Sequence, residues 1–448
     1  MTTSTLMLTF LLSVLATYSS ASVIVRKTNQ GPTGYEIDFK YVNANVSSVI
    51  IAGGIKQFTD QYHTSPQYSA NYDPHDYHPG DFFVSLSNSI NGRWPYVMKD
   101  SGSGVWTFTT PLPSGTYNYA FYTDCPTADC NITSGLVIDP DNPPFLNVAG
   151  DQVASTFQVP YDEKFQYYAS LDLNFDYALP SNSSRGSVKT VNYTSPGSSH
   201  PGKDIHDFSI YLPAEYGTVS NKKYPLLYLS HGGGGNGQDW ENLAKASHIF
   251  DNLIARGHIE PTVVVMPTFY NLFPGGELIV NGSATSPFSP SAQDVRANYI
   301  QYLFPWVQAN FNVSTDPRKR AFAGLSLGGI LTYEMYLNAT DYFGYFGLFS
   351  GARGPGQIIG SYLNASMVAQ SPGLGQKGIF LSAGLYDIAF EDVRGFQSAL
   401  DEARIGYMAR YTPWGSHYWN TWQDALWTFG VTSLWKPTPF TTRTGRIP

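Results

Sequence analysis

Apolar and polar positions follow two different rhythms along the chain. In residues 22–160 they alternate in short runs broken by turn residues. Tyr35-Glu36-Ile37-Asp38-Phe39 and Ser48-Val49-Ile50-Ile51 read as strands. Val105-Trp106-Thr107-Phe108-Thr109 alternates, as do Tyr117, Tyr119 and Phe121, with Pro113-Ser114-Gly115 as the turn between these two runs. Alternation with such punctuation predicts strands that bury one face, and several of them together predict a β-sandwich. The proline-rich Asp139-Pro140-Asp141-Asn142-Pro143-Pro144 reads as its exit loop.

Beyond about residue 180 the rhythm changes. Residues 207–213 read as a strand, and residues 224–230 form a near-continuous apolar run, the mark of a strand covered on both faces. Residues 262–266, 321–323, 346–349, 379–383 and 407–411 are similar. Helical patterns lie between them. Val295, Tyr299, Leu303, Val307 and Phe311 recur at every fourth position and predict one buried stripe. Strands alternating with helices predict an α/β domain with a mainly parallel sheet.

Composition narrows the picture. The chain has 448 residues, 42% hydrophobic and 13% charged, enough for two or three domains with cores of their own and too apolar for a mostly disordered chain. Lys and Arg number 26 against 34 Asp and Glu, a net charge of −8, and no basic run occurs, which argues against nucleic acid as a partner. Residues 6–16 have the length and apolarity of a signal-peptide core and are too short to span a bilayer. Ser19 and Ala21 suit cleavage after Ala21, although residues 1–5 carry no Lys or Arg. No later stretch reads as a membrane span, and residues 441–448 lack the apolar tail of a lipid anchor. The expectation is a secreted protein that does not engage a membrane. Eight glycosylation sequons, at Asn45, Asn131, Asn182, Asn192, Asn281, Asn312, Asn338 and Asn364, agree with a secretory route. Cys125 and Cys130 are the only cysteines. In an oxidising compartment they are expected to close one small loop, and two cysteines alone do not make a usual zinc site.

The sharpest chemical signal is Ala323-Gly324-Leu325-Ser326-Leu327-Gly328-Gly329, set between a predicted strand and a helical run. This is the G-x-S-x-G context that lifts a serine hydroxyl to the edge of a sheet with a helix N-terminus behind it. A serine needs a base to act as a nucleophile. Of nine histidines only His417 lies downstream of Ser326, in a Trp-rich loop after the last predicted strand. Asp387, at the end of the 379–383 strand, is the candidate to orient it, with Glu391 and Asp392 as rivals on the following helix face. The order Ser, Asp, His is that of α/β-hydrolases. An oxyanion hole needs two N–H donors. Leu327 supplies one, and Gly233, in the glycine loop after the 224–230 strand, the other. His231 reads as a packed histidine that orients that loop. Trp414, Trp419 and Trp422 near His417 are candidate substrate-binding residues that suit a pocket wall or the core. His75 and His78, with Asp73 and Asp76, read as a solvated loop and not as a metal site.

With these residues in hand, the second half resembles the esterase D-like α/β-hydrolases of carbohydrate esterase family one, which include feruloyl and acetylxylan esterases. The matching stretches are Lys223 to Gly232, Asp251 to Gly257, Arg320 to Gly329, and the loop with His417 and Trp422. Leu327 stands where that family often has Met, and the segment from Phe269 to Pro290 looks longer than a minimal connection. Residues 104–119 with Asp139-Pro140 resemble the immunoglobulin-like E-set domains that precede glycogen-branching enzymes and some bacterial esterases. Trp94, Trp106 and Tyr122 there are candidates for sugar stacking, with sandwich core as the better reading. The resemblances imply an E-set, Ig-like β-sandwich over 22–160, a linker over 161–184, an α/β-hydrolase domain over 185–438 and a tail over 439–448. They imply a serine esterase acting on feruloyl or acetyl esters of plant cell-wall polysaccharide such as arabinoxylan, with no metal or organic cofactor. A non-catalytic carbohydrate-binding protein on a hydrolase scaffold and a siderophore-type esterase are the alternatives.

Overall fold

The alternating runs of the first 160 residues pair as antiparallel strands. In this computed structural model Tyr35–Val42 turns Tyr35, Ile37, Phe39 and Tyr41 inward and pairs with Ala21–Lys27 on one side and Val105–Pro111 on the other. A second sheet is centred on Gly115–Thr123, flanked by Val49–Gly53 and Gln152–Val159. The two sheets face one another across one core, where Ile37 and Phe39 meet Tyr117, Tyr119, Phe121 and Phe157. Phe39 and Tyr119 meet edge to face, ring centroids 5.7 Å apart. Trp106 and Tyr122 are buried, Trp106 with its indole N–H on the carbonyl of Asn43, so neither offers a sugar platform.

The structure describes residues 21–53, 58–59, 75, 77–78, 82–83, 96–124, 136–147, 150–165, 179–272, 292–351, 370–413, 415–436 and 445–447. Trp94, Asp73, Asp76, Cys125, Cys130, Asn131, Asn281, Asn364, Trp414 and residues 1–20 lie outside them. The other five sequon asparagines, Asn45, Asn182, Asn192, Asn312 and Asn338, are exposed. Among the described residues no helix is long and apolar enough to cross a membrane.

The second half forms a nine-stranded sheet. Counted in sequence order its strands lie 1-2-4-3-5-6-7-8-9. They are Ser187–Thr194, Ile205–Leu212, Leu226–Ser230, Val263–Pro267, Arg320–Leu325, Tyr345–Phe349, Gly378–Gly384, Met408–Thr412 and Gly445–Ile447. The second strand pairs antiparallel with the first and the fourth, and every other pairing is parallel. The continuous apolar runs have the predicted cause. In Leu226–Ser230, Leu226 and Tyr228 point into one core while Leu227 and Leu229 point into the other. Helices close both faces: Leu327–Asn338 and Phe390–Glu402 on the first, Ala246–Ala255 and Trp419–Thr432 on the second. This is an α/β-hydrolase fold, and its parallel strands carry their C-terminal loops to one edge.

Three features differ from the expectation. Ser187–Thr194 is a strand the pattern did not announce; it is the sheet's edge, mostly exposed, and needs no apolar run. The expected tail holds a short strand, Gly445–Ile447, paired with Met408–Arg410. The helix carrying the every-fourth-residue stripe is interrupted by a π-helical stretch, Tyr299–Leu303, between Ala292–Asn298 and Phe304–Asn310. A spacing of four drifts around an α-helix of about 3.6 residues per turn, and a wider π turn brings the stripe back to the core. Val295, Tyr299, Leu303 and Val307 are accordingly all buried.

Candidate active site

The strand Arg320–Leu325 ends at Ser326, and the helix Leu327–Asn338 begins at the next residue. The turn between them is too tight for an ordinary backbone, and Ser326 adopts φ +51°, ψ −117°. Two glycines permit it. A Cβ on Gly324 would sit 2.6 Å from the Gly328 backbone, and one on Gly328 would sit 2.3 Å from the His231 carbonyl oxygen. Hydrogen bonds from Ser326 N to the Phe349 carbonyl (2.9 Å) and from Ile330 N to the Ser326 carbonyl (3.0 Å) fix the serine between the neighbouring strand and its own helix.

His417 lies in the loop between Met408–Thr412 and Trp419–Thr432. Its Nε2 is 2.9 Å from Ser326 Oγ, and its Nδ1 is 2.8 Å from Asp387 Oδ1. The Asp387 side chain is fully buried while His417 keeps some exposure. Asp387 sits in the turn after Gly378–Gly384, and the Ala389 N–H donates to its Oδ1 at 2.8 Å. The structure therefore brings Ser326, His417 and Asp387 together in one line of hydrogen bonds. Glu391 and Asp392 stand apart, in the first turn of the next helix. With Oδ1 accepting from Nδ1–H, the Nε2 lone pair faces the serine hydroxyl, the tautomer a general base needs.

The glycine loop runs beside this line. A Cβ on Gly232 would lie 3.2 Å from Ser326 Cβ, and one on Gly233 would lie 3.1 Å from the Leu327 side chain. Gly233 and Leu327 are thus neighbours, and the first N–H of a helix has no acceptor within the helix. His231 is buried, stacked on Phe269 at 4.0 Å between ring centroids. Its Nδ1 is 2.7 Å from the Gly232 carbonyl, and its Nε2 faces the Phe269 N–H at 3.4 Å. Burial pushes its pKa down to about 3, so the ring is neutral and holds the loop, as a packed histidine would.

Trp419 and Trp422 do not form an open wall. Both are buried in the core between the sheet and its second helical layer, Trp419 edge-on to Trp240 and Trp422 edge-on to His417. Of the two settings that suit them, pocket wall or core, the structure places these two in the core, with Trp422 against His417 and Trp419 against Trp422. Sequence reasoning missed Tyr270, whose hydroxyl accepts the Gly234 N–H at 3.0 Å. It also missed Tyr418 and Asn420, which reach the N-terminal sheets. Nothing in the local pattern distinguishes them from other aromatic and polar loop residues.

Residues 198–429 match the profile of the Esterase family, described as "Putative esterase". An endo-1,4-beta-xylanase/feruloyl esterase of Xylanibacter ruminicola is 32% identical over 274 residues, which are 60% of this chain and 33% of that protein. Endo-1,4-beta-xylanase Y of Acetivibrio thermocellus is 34% identical over 154 residues, 32% of this chain and 13% of the relative. The chain thus spans a third or less of the length of these two curated relatives. Among solved structures, a CE1 ferulic acid esterase of Anaeromyces mucronatus in complex with ferulic acid aligns with 20% identity and a TM-score of 0.50, over 58% of this chain and 95% of that one. The enterobactin esterase of Shigella flexneri aligns with 16% identity and a TM-score of 0.52, over 93% of this chain and 96% of that one. At these identities both are likenesses of fold.

Proposed function

The chain belongs to the Esterase family, and from that premise we propose that it is a secreted serine esterase of plant cell-wall polysaccharide, cleaving feruloyl esters such as those of arabinoxylan. The observation that carries the reading is the hydrogen-bonded line Ser326–His417–Asp387, with Nε2 2.9 Å from the serine oxygen. Support for the substrate comes from the feruloyl esterase named among the relatives. We divide the chain as its two rhythms do, into an Ig-like sandwich over 22–160 and a catalytic domain over 185–438, after a cleaved segment 1–21.

The reaction follows from the groups present. Ser326 Oγ bonds to the ester carbonyl carbon as its proton passes to His417 Nε2. The carbonyl oxygen becomes an oxyanion and takes the N–H groups of Gly233 and Leu327. The C–O bond to the sugar then breaks, and the leaving oxygen receives the proton from His417. Water attacks the acyl-enzyme, gives a proton to His417, and the acid departs as that proton returns to Ser326 Oγ. Asp387 stabilises the charged imidazole in both halves. None of these steps calls on a metal or an organic cofactor.

The test is acid release from feruloylated and acetylated arabinoxylan side by side, with Ser326→Ala as control. Ferulate released by the wild type, with at least about a 10⁴-fold loss in the variant, is the expected result. Acetate alone would replace the feruloyl assignment with a deacetylase. Undiminished hydrolysis by Ser326→Ala would remove the nucleophile, and with it the reading.

A further inference from the structure

The N-terminal sheets touch the catalytic domain on both flanks of the candidate site. On the histidine flank, the hydroxyl of Tyr418, next in sequence to His417, donates to the Thr116 carbonyl, and Asn420 Nδ2 donates to the Ser114 carbonyl at 3.0 Å. On the other flank, Thr116 Oγ1 donates to the Leu243 carbonyl at 2.6 Å, and Gln158 Nε2 reaches the same oxygen at 2.7 Å. Asn242 Nδ2 donates to the Pro144 carbonyl at 3.0 Å. Asn242 and Leu243 end the short helix Asp239–Asn242 that follows the His231–Gly235 loop. Thr116 serves both flanks at once, its carbonyl on Tyr418 and its hydroxyl on Leu243. Gln423 Nε2, on the helix after His417, ties the flanks directly through the Ala244 carbonyl at 3.0 Å.

All these contacts end on backbone carbonyls, so they fix the course of the main chain without adding charge to the site. They do so where position matters most. His417 leaves a loop, and the backbone of Tyr418 is extended, φ −149°, ψ 167°, as the helix begins. The Tyr418 ring packs against the N-terminal core and the catalytic core together. A base that shifts by about 1 Å loses its reach to the proton, at a cost on the order of 10²-fold in rate.

We infer that Ser114–Thr116, where the chain enters the Gly115–Thr123 strand, is a positioning element of the active site, holding the His417 loop and the glycine loop at a fixed separation across Ser326. Tyr418 is its main contact on the histidine side. The inference rests on the Ser326–His417–Asp387 reading and goes beyond it by giving the N-terminal unit a part in the chemical step.

The experiment uses the full chain and two acetate esters of similar size, phenyl acetate and 4-nitrophenyl acetate. The phenolate leaving group needs protonation by His417 much more than 4-nitrophenolate does. Tyr418→Phe keeps the ring and removes the hydrogen bond. It is expected to lower kcat/KM on both esters, because His417 takes the Ser326 proton in each, and by a further factor of about three or more on phenyl acetate, whose leaving group also needs that proton. Weaker binding, or a fraction of unfolded enzyme, would lower both by one factor. Thr116→Val, which loosens the oxyanion flank instead, is expected to lower both esters equally, by about three-fold or more. Equal losses in Tyr418→Phe, or none, would overturn the inference while leaving the triad intact. If Ser326→Ala hydrolysed both esters as the wild type does, the triad and the inference would fall together.

Discussion

The nucleophile half of the site and its histidine half are held by different means. Ser326 is fixed within one strand–turn–helix unit. Its φ of +51°, the close passage of Gly324 by Gly328, where a Cβ would come within 2.6 Å of backbone, and the hydrogen bond to Phe349 all arise from contiguous chain and the adjacent parallel strand. His417 and Asp387 stand on two loops that must find each other. Leu385 N donates to the Thr412 carbonyl at 3.1 Å and Tyr386 N to the Gly415 carbonyl at 2.9 Å, so the loops zip together by backbone bonds. The N-terminal segment Ser114–Thr116 then braces the outcome from outside. One half stores strain in a rigid local device, and the other is assembled from parts and depends on its neighbours.

The largest effect should come from the carboxylate that joins the two loops to the ring. Asp387→Asn keeps the shape but offers Nδ1 an amide, which lets the imidazole adopt the tautomer that cannot take the serine proton. We expect kcat/KM on phenyl acetate to fall about 10⁴-fold with little change in thermal stability. A loss of only ten-fold would mean that another acid, such as Glu391, supplies the role, and the histidine half would be less dependent on one geometry than described.

The next contrast sets glycine against glycine. A Cβ on Gly328 meets the His231 carbonyl oxygen at 2.3 Å and the Ser230 carbonyl oxygen at 2.8 Å, atoms of a central strand end with no room to move. A Cβ on Gly415 meets Thr421 Oγ1 at 2.8 Å, in the first turn of the next helix, and Gly384 Cα at 3.0 Å, at the end of the Gly378–Gly384 strand. Gly328→Ala is expected to cost about 10²-fold in kcat/KM and about 1–3 kcal/mol in chemical denaturation. Gly415→Ala is expected to cost about ten-fold or less in kcat/KM, because its contacts are less close and the nearest is a side-chain hydroxyl that can rotate. The reverse order would contradict the assignment of rigidity to the nucleophile half.

The same contrast explains what could be read from sequence. The elbow was legible because its requirement is local: a positive φ at a serine and two close approaches leave glycines at fixed offsets. The inner parallel strands were legible because burial on both faces removes polar residues from the run. Edges were not. Ser187–Thr194 faces water along most of its length, and Gly445–Ile447 is too short to show a pattern. The brace was illegible for a different reason. Tyr418 and Asn420 bond to the carbonyls of Thr116 and Ser114, and every residue has a carbonyl, so the acceptor leaves no trace in the sequence. Trp419 and Trp422 were left between two settings because an indole suits a pocket wall and a core equally, and only burial separates the two.

The smallest effect concerns buried charge, where one carboxyl, Asp239, parts from the paired carboxyls of the histidine half and from Glu334 on the nucleophile helix, which meets Arg296 at 2.9 Å. In the histidine half the buried carboxyls have cationic or ionisable partners: Asp387 has His417, and Asp424 has Arg410 at 3.2 Å. Behind the glycine loop, Asp239 is buried with a backbone hydrogen bond at Asn236 as the one group working against desolvation, and its pKa is pushed up to about 7. A Cβ on Gly235 would lie 2.0 Å from its Oδ2, so the carboxyl abuts the loop itself. The folded state therefore holds this proton more tightly than the unfolded chain, where an aspartate titrates near its ordinary value. The stabilisation is complete below the unfolded pKa and is lost as pH rises to about 7, so above neutrality the protein carries the full cost of a buried carboxylate. Asp239→Asn removes that titration. The drop in unfolding free energy between pH 5 and pH 8 should shrink by about 2 kcal/mol relative to wild type, with the variant the more stable at pH 8. Equal pH dependence in the two proteins, measured by urea denaturation, would mean that Asp239 is compensated in the fold, as Asp387, Asp424 and Glu334 are.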